Sequence, residues 1–440
     1  MTGKSNQAAS LQRVIGVFGA VGLGLGSILG TGVFVSLTLV TDIAGIWAPL
    51  AVTLAGLLAA CNGLSSAQLA AAHPVSGGTY EYGHHYVHPL AGYTAGWMFL
   101  VAKSASAATA ALGLASYFRA VLEIHHPLAT PANLAFVAVA LVTALAAGGM
   151  RRSSAVNTII VATTFVALCL YVFSGAHALS DPSLTSHLAA QAFTSSPLDP
   201  SVLMHATALA FVAYAGYGRI ATMGEEITEP RKNIPRAIIA TLLVSMITYI
   251  SVVTVSVALV GPVLFAGAGT RGHAPLEQVA RYMGQPEIGQ FIAIGAVTAM
   301  TGVLLNLLLG LSRVLLAMAR RNEMPQALSV LTPSGESPKR AVWFVGAFIA
   351  LLVSTGDITV TWSLSAFCVL IYYGTTNLAA LKMPKEDQLY PRWVSMVGLV
   401  GCLSLALFID RQTIILGVAS ILFAFVIRKI FIARIKPREL

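Results

Sequence analysis

Two short stretches hold residue types suited to binding a ligand through exposed backbone rather than to making or breaking bonds. The first reads Gly26-Ser27-Ile28-Leu29-Gly30-Thr31-Gly32, and the second Phe211-Val212-Ala213-Tyr214-Ala215-Gly216-Tyr217-Gly218-Arg219. Glycine weakens a helix interior by about 1 kcal/mol relative to alanine, so such clusters open a helix and free backbone groups. A half-helix restarting near Thr31 presents N–H groups and a positive dipole end suited to a carboxylate, and Thr31 adds a hydroxyl. Carbonyls freed around Val212, Ala213 and Ala215 suit an ammonium, with Phe211 and Tyr214 as an aromatic lid or gate. Close helix packing is the competing explanation, and it is the one adopted for Gly16 to Gly24.

Other chemistries find less support. Cys61, Cys169, Cys368 and Cys402 form no CxxC pair and sit in apolar runs, as small buried hydrophobes do. His84, His85 and His88 beside His73 make one cluster, whereas His125 and His126 fall on the opposite face. An integral-membrane metalloenzyme, the rival of another class, needs several such clusters on one face. No GK[ST] follows the first glycine run, so it is not a phosphate loop. Lys103, Arg219 and Arg313 are cations within apolar runs, and Asn306 is a polar residue in mid-run that either lines a binding cavity or bonds between helices. Lys103 lies about fifteen residues from each end of its run, too deep to snorkel, which marks it for a coupling or substrate role, with a structural pairing as the alternative.

These stretches must be positioned by membrane helices. Of the 440 residues, 56% are hydrophobic and 10% charged; the charged share is far below the quarter or so usual in soluble domains. The mean hydropathy is +0.79. Apolar runs near 20 residues recur, each long enough to cross a bilayer. The expected spans are 14–40, 43–70, 88–119, 131–149, 156–178, 201–222, 236–260, 287–318, 341–355, 358–381, 393–409 and 412–432. With the N-terminus inside, the cytoplasmic loops collect most of the Lys and Arg, including Arg151, Arg152, Arg231, Lys232, Arg320 and Arg321. The outside holds only Arg119, Arg271, Arg281 and Arg411. The formal charge of +9 is therefore topological and no nucleic-acid footprint. No small-residue cleavage site follows the first run, so it reads as a retained helix.

The two glycine-broken runs are the first and sixth spans, equivalent positions in two five-span halves. Such a pair points to a transporter site at a repeat interface. Because five is odd, the second half must be inverted. The expected architecture is all-α: one transmembrane domain over 1–440, with repeats at 14–178 and 201–381 and two peripheral helices at 393–432.

Four segments together resemble the amino acid–polyamine–organocation permeases: Gly-Ser-Ile-Leu-Gly-Thr-Gly-Val-Phe at 26–34, Pro-Val-Ser-Gly-Gly-Thr-Tyr-Glu-Tyr at 74–82, Glu-Glu-Ile-Thr-Glu-Pro-Arg-Lys-Asn-Ile-Pro-Arg-Ala at 225–237, and Ser-Arg-Val-Leu-Leu-Ala-Met-Ala-Arg at 312–320. The resemblance covers nearly the whole chain. It implies the leucine-transporter fold and movement of amino acids by proton-coupled uptake or exchange. It places a substrate carboxylate at Thr31 and Gly32, past Gly30, and the amine near the Ile28 carbonyl and the freed carbonyls of the sixth span.

Two departures matter. Gly218 stands where many relatives have an acid, and Arg219 follows, which argues against a cationic substrate. Thr164 stands where some relatives carry a lysine in the fifth span. Lys103 can take over coupling, sodium can bind span-1 carbonyls with Thr298 or Thr301, or exchange can run uncoupled. Glu225 and Glu226 are expected to gate the cytoplasmic side by pairing with Arg313, Arg320 or Arg321. The sum is a secondary transporter of the inner or plasma membrane with both termini inside and no catalytic chemistry. A neutral amino acid is the first choice and an acidic one the alternative. No cofactor is expected beyond H+ or Na+. Partners are the amino acid and the lipid bilayer, with the chain a monomer or homodimer. A transporter-like receptor that binds without transport is a further alternative.

Overall fold

The glycine cluster of the first span breaks its helix. In this computed structural model, which describes residues 13–75, 77–124, 126–148, 154–181, 197–224, 226–270, 274–331 and 338–433, α1 (Val17–Ile28) stops at Leu29 and Gly30. The chain re-forms through a π-helical turn, Gly32–Ser36, that runs straight into α2 (Leu37–Ala44). After Gly45, at φ +55°, α3 (Ala48–Ala72) returns across the bundle. The short α4 (Thr79–Tyr82), α5 (Pro89–Val121), α6 (Pro131–Ala147) and α7 (Ser154–Ala178) complete the first half. The sixth span is broken in the same way: α8 (Pro200–Tyr214), a tight turn at Ala215–Tyr217, then α9 (Gly218–Thr222). α10 (Pro230–Thr270) is interrupted at Gly261, where φ is +75°. The small amphipathic α11 (Pro275–Tyr282), α12 (Pro286–Arg320), α13 (Lys339–Val353), α14 (Ile358–Lys382), α15 (Arg392–Ala406) and α16 (Arg411–Ala433) follow.

Each expected span falls on helix, and among the described residues eight helical stretches are long and apolar enough to cross a membrane, the first of them, Val17–Ala72, turning back at Gly45. Packing partners exchange when the two halves are exchanged. α5 packs on α14 as α12 packs on α7; α3 packs on α8 as α10 packs on α1 and α2. α3 with α10, α5 with α12 and α6 with α13 pair across the halves. This is an all-α membrane protein with the fold expected of the resemblance. α5 is central because its Ala102, Ser104, Ala105, Ala107, Ala108 and Ala111 are small and buried, letting neighbouring backbones close in where the hydrophobic effect gives no drive.

The basic end is tied by charge. The carboxylate of Glu323, 4% exposed, accepts from Tyr80 Oη at 2.7 Å and Arg428 Nε at 3.2 Å, and lies 3.4 Å from His84 Nε2. Burial alone would raise its pKa, but the His84 and Tyr80 hydrogen bonds and the Arg428 charge hold it below the ordinary carboxylate range. Glu81 pairs with Arg321 at 2.6 Å. These contacts join the 73–88 turn to the end of α12 and to α16. On the same end, the backbone around Ile15 pairs with Ile227, Val14 and Ile15 N–H groups donating to the Glu226 carbonyl at 3.0 Å.

Candidate functional site

The two breaks meet. A Cβ on Gly216 would lie 2.6 Å from the Ser27 carbonyl oxygen and 2.5 Å from Ile28 Cγ1, so only glycine lets the second break rest on the first. Beside this crossing lies a cavity of about 340 Å³ of empty space, counting its mouth, lined by Ser27, Ile28, Thr31, Gly32, Lys103, Ser106, Val212, Ala213, Gly216, Val303, Leu307 and Trp362. The lining residues on the side of the Lys/Arg-rich end, Ser27, Lys103, Gly216 and Leu307, are half-buried. Those toward the other end, Thr31, Gly32, Ser106, Val212, Val303 and Trp362, are buried. The cavity is thus shut at its far end and opens toward the basic end.

The far end is latched by hydrogen bonds between α5, α14 and the broken spans. Ser106 and Ser365 hydroxyls lie 2.7 Å apart, and Thr109 and Thr361 2.8 Å. Trp362 Nε1 donates to the Leu209 carbonyl at 3.0 Å, and Tyr117 Oη to that of Phe34 at 3.2 Å.

Thr31 carries the donor end. Its hydroxyl is buried without a partner among the described residues, and of the side-chain atoms in that condition it alone lines the cavity. It opens the helical run that continues through Ala44, whose first N–H groups have no carbonyl within the helix. The acceptor end is already engaged. The Ile28 carbonyl accepts from Tyr249 Oη at 2.7 Å and Gly30 N at 2.8 Å. The Ala213 carbonyl lies 3.3 Å from the same Tyr249 Oη, whose one proton is closer to Ile28, and Val212 accepts from the Ala215 N–H. The Ala215 carbonyl accepts from Tyr373 Oη at 3.1 Å and Lys103 Nζ at 3.4 Å. Lys103 has no carboxylate partner among the described residues.

Several expected residues fall elsewhere. Phe211 and Tyr214 are wholly buried behind the lining; Phe211 packs edge-on to Tyr373, and Tyr214 donates to the Val52 carbonyl at 3.2 Å. Asn306 is half-buried and off the cavity, because α12 turns Val303 and Leu307, one turn apart, toward it instead. Thr298 donates to the Ile294 and Gly295 carbonyls of its own helix, and Thr301, exposed, to that of Val297. Thr164 is buried and has no partner among the described residues, packed near Gly295 and away from the cavity. Arg219 is half-buried beside Gly310.

The proposed gate is arranged differently from the expectation. Glu225 lies outside the described residues. Glu226 engages the chain around Val14 through its backbone, Arg313 is exposed, and no ion pair joins them among the described residues. Arg321 pairs with Glu81 instead. The histidine cluster contains a stacked pair, His73 on His85 at 4.4 Å and 11°. Burial, then the neighbouring His85, hold the His73 pKa below the usual histidine range against the pull of Glu81. No group of three or more metal-type side chains gathers among the described residues. Val303, Leu307, Trp362, Tyr249 and Tyr373 were not singled out by sequence; each is an ordinary apolar or aromatic residue of a membrane helix.

Comparison with known proteins gives a consistent picture. The amino acid permease family matches residues 19–434. An uncharacterized transporter of Mycobacterium tuberculosis is 36% identical over 98% of this chain and 94% of its own length. The branched-chain amino acid permease BcaP of Bacillus subtilis is 30% identical over 95% and 92%. The methylthioribose transporter of the same organism is 27% identical over 78% and 75%.

Proposed function

The chain belongs to the amino acid permease family, whose members are membrane transporters rather than enzymes, and we propose that it carries neutral amino acids by alternating access. The substrate carboxylate is held by the Thr31 hydroxyl and the N–H groups that open the run at Gly32. Its ammonium approaches the carbonyls of Ile28, Val212, Ala213 and Ala215, sharing them with Tyr249 and Lys103. Val212, Val303, Leu307 and Trp362 wall the rest of the cavity, which favours a compact apolar side chain, as does the likeness to a branched-chain permease. The observation that carries this reading is the unpartnered Thr31 hydroxyl on the cavity where the two breaks cross.

The basic end is the cytoplasmic one by the positive-inside bias, with both termini inside a cell membrane and the conformation facing inward. Turning outward breaks the Ser106–Ser365, Thr109–Thr361 and Trp362–Leu209 bonds while α1 and α9 close below, one inverted repeat rocking on the other. Transport runs by proton symport or by exchange. Sodium coupling stays an alternative, because the Thr298 and Thr301 hydroxyls donate to their own helix and keep their oxygen lone pairs. A second reading, an acidic amino acid, is favoured by Lys103 and Arg219. Counterflow in proteoliposomes against a panel of amino acids, with and without proton or sodium gradients, tests both. Branched-chain and other small neutral amino acids are expected to exchange; a protein that binds them but moves none is a receptor.

A further inference from the structure

Donors and acceptors in this cavity are unequally committed. A carbonyl oxygen has two lone pairs. Both are taken at Ile28, by Tyr249 Oη and Gly30 N–H, and both at Ala215, by Tyr373 Oη and Lys103 Nζ. The hydroxyl of Thr31, a residue that lines the cavity, is buried and has no partner among the described residues. The site therefore has free capacity for a carboxylate, while for a ligand ammonium only the Val212 and Ala213 carbonyls keep a lone pair. One of the groups that hold the other two carbonyls, Lys103, is itself an amine.

Charge points the same way. Lys103 lines the cavity, no acidic residue lines it, and no carboxylate pairs with Lys103 among the described residues. A charge at membrane depth is costly unless it is matched. A zwitterion brings as much positive as negative charge and leaves Lys103 uncompensated, whereas a monoanion balances it.

We propose that this site also takes carboxylates without an α-amine, the 2-oxo and 2-hydroxy acids with a small apolar side chain, Lys103 supplying the cation that the ligand lacks. The inference rests on the reading of Thr31 and Gly32 as the carboxylate site. The ligand's carboxylate lies at Thr31, its oxo or hydroxyl oxygen faces the Lys103 amine, and its alkyl group meets Val212, Val303, Leu307 and Trp362. No bond is made or broken.

The test uses full-length protein in proteoliposomes preloaded with labelled leucine, or with whichever neutral amino acid exchanges fastest. External 4-methyl-2-oxopentanoate is compared with external leucine as the counterflow partner. The expected result is counterflow by the oxo acid with a half-saturation within tenfold of leucine's. In Lys103→Gln the oxo acid should lose at least tenfold more than leucine does, and Lys103→Arg should restore most of that difference. Leucine exchange without any effect of the oxo acid overturns the inference and leaves the amino-acid reading intact. An equal loss for both ligands in Lys103→Gln also overturns it. If no amino acid exchanges, the amino-acid reading fails, and thermal-shift binding of the oxo acid to purified protein then decides the carboxylate site separately. The wild-type comparison requires no variant to fold.

Discussion

Replacing Thr31 by valine removes one hydroxyl and keeps the shape of the side chain. In the empty protein Thr31 is 5% exposed and its hydroxyl has no partner among the described residues, so its loss costs the fold nothing and relieves an unsatisfied group, a condition worth about 1–3 kcal/mol. On the proposed reading the hydroxyl donates to the substrate carboxylate in the loaded protein, and hydrogen bonds to charged groups contribute about 1.5–3 kcal/mol. The variant should therefore bind its best substrate roughly 10- to 150-fold more weakly while melting at or above the wild-type temperature. Both are measurable on purified protein, by isothermal titration with the best counterflow substrate and by thermal unfolding. Thr31→Ser should recover most of the affinity. A Thr31→Val protein that binds within twofold of wild type would remove the hydroxyl from the site and leave the cavity's far end as simple packing.

Other perturbations separate site from scaffold. Gly216→Ala should abolish transport and lower stability by about 1–3 kcal/mol, the usual cost of overpacking, because its Cβ meets the Ser27 carbonyl. Gly22→Ala, with nothing within 4 Å, should be neutral or slightly stabilising by thermal unfolding. Glu323→Gln leaves the Arg428 guanidinium without its buried carboxylate and should cost about 3–5 kcal/mol in unfolding measurements. Because the Glu323 pKa is lowered on folding, its stabilisation is present above the ordinary carboxylate value of 4.5 and lost as pH falls through the folded value. The wild-type melting temperature should fall in that acid range, and Glu323→Gln should show a flatter profile there.

The breaks were legible because glycine acts through the backbone, and the backbone of a membrane helix has nowhere else to turn. Lys103 was legible for a related reason: an amine so far from either interface needs a polar neighbour, and it has one at Ala215. The walls were not legible. Val303, Leu307 and Trp362 differ in no sequence property from the apolar residues beside them, and only the rotation of α12 and α14 selects them. Asn306 drew attention by polarity, but lies on the wrong face of its turn. Tyr249 and Tyr373 reach the broken carbonyls from the seventh and tenth spans, a long-range contact that no local pattern announces. The Glu225–Glu226 segment was read as a gate from charge alone; at Glu226 the backbone pairs with the chain around Val14.

The central claim is that an amino acid's carboxylate sits at Thr31, between the two broken helices. Counterflow of a labelled neutral amino acid by Thr31→Trp, reconstituted beside wild type after both are shown to be folded and monodisperse, tests it most directly. A tryptophan there fills the cavity, so wild type should exchange and Thr31→Trp should show none. Counterflow by Thr31→Trp at a rate near wild type would contradict the claim.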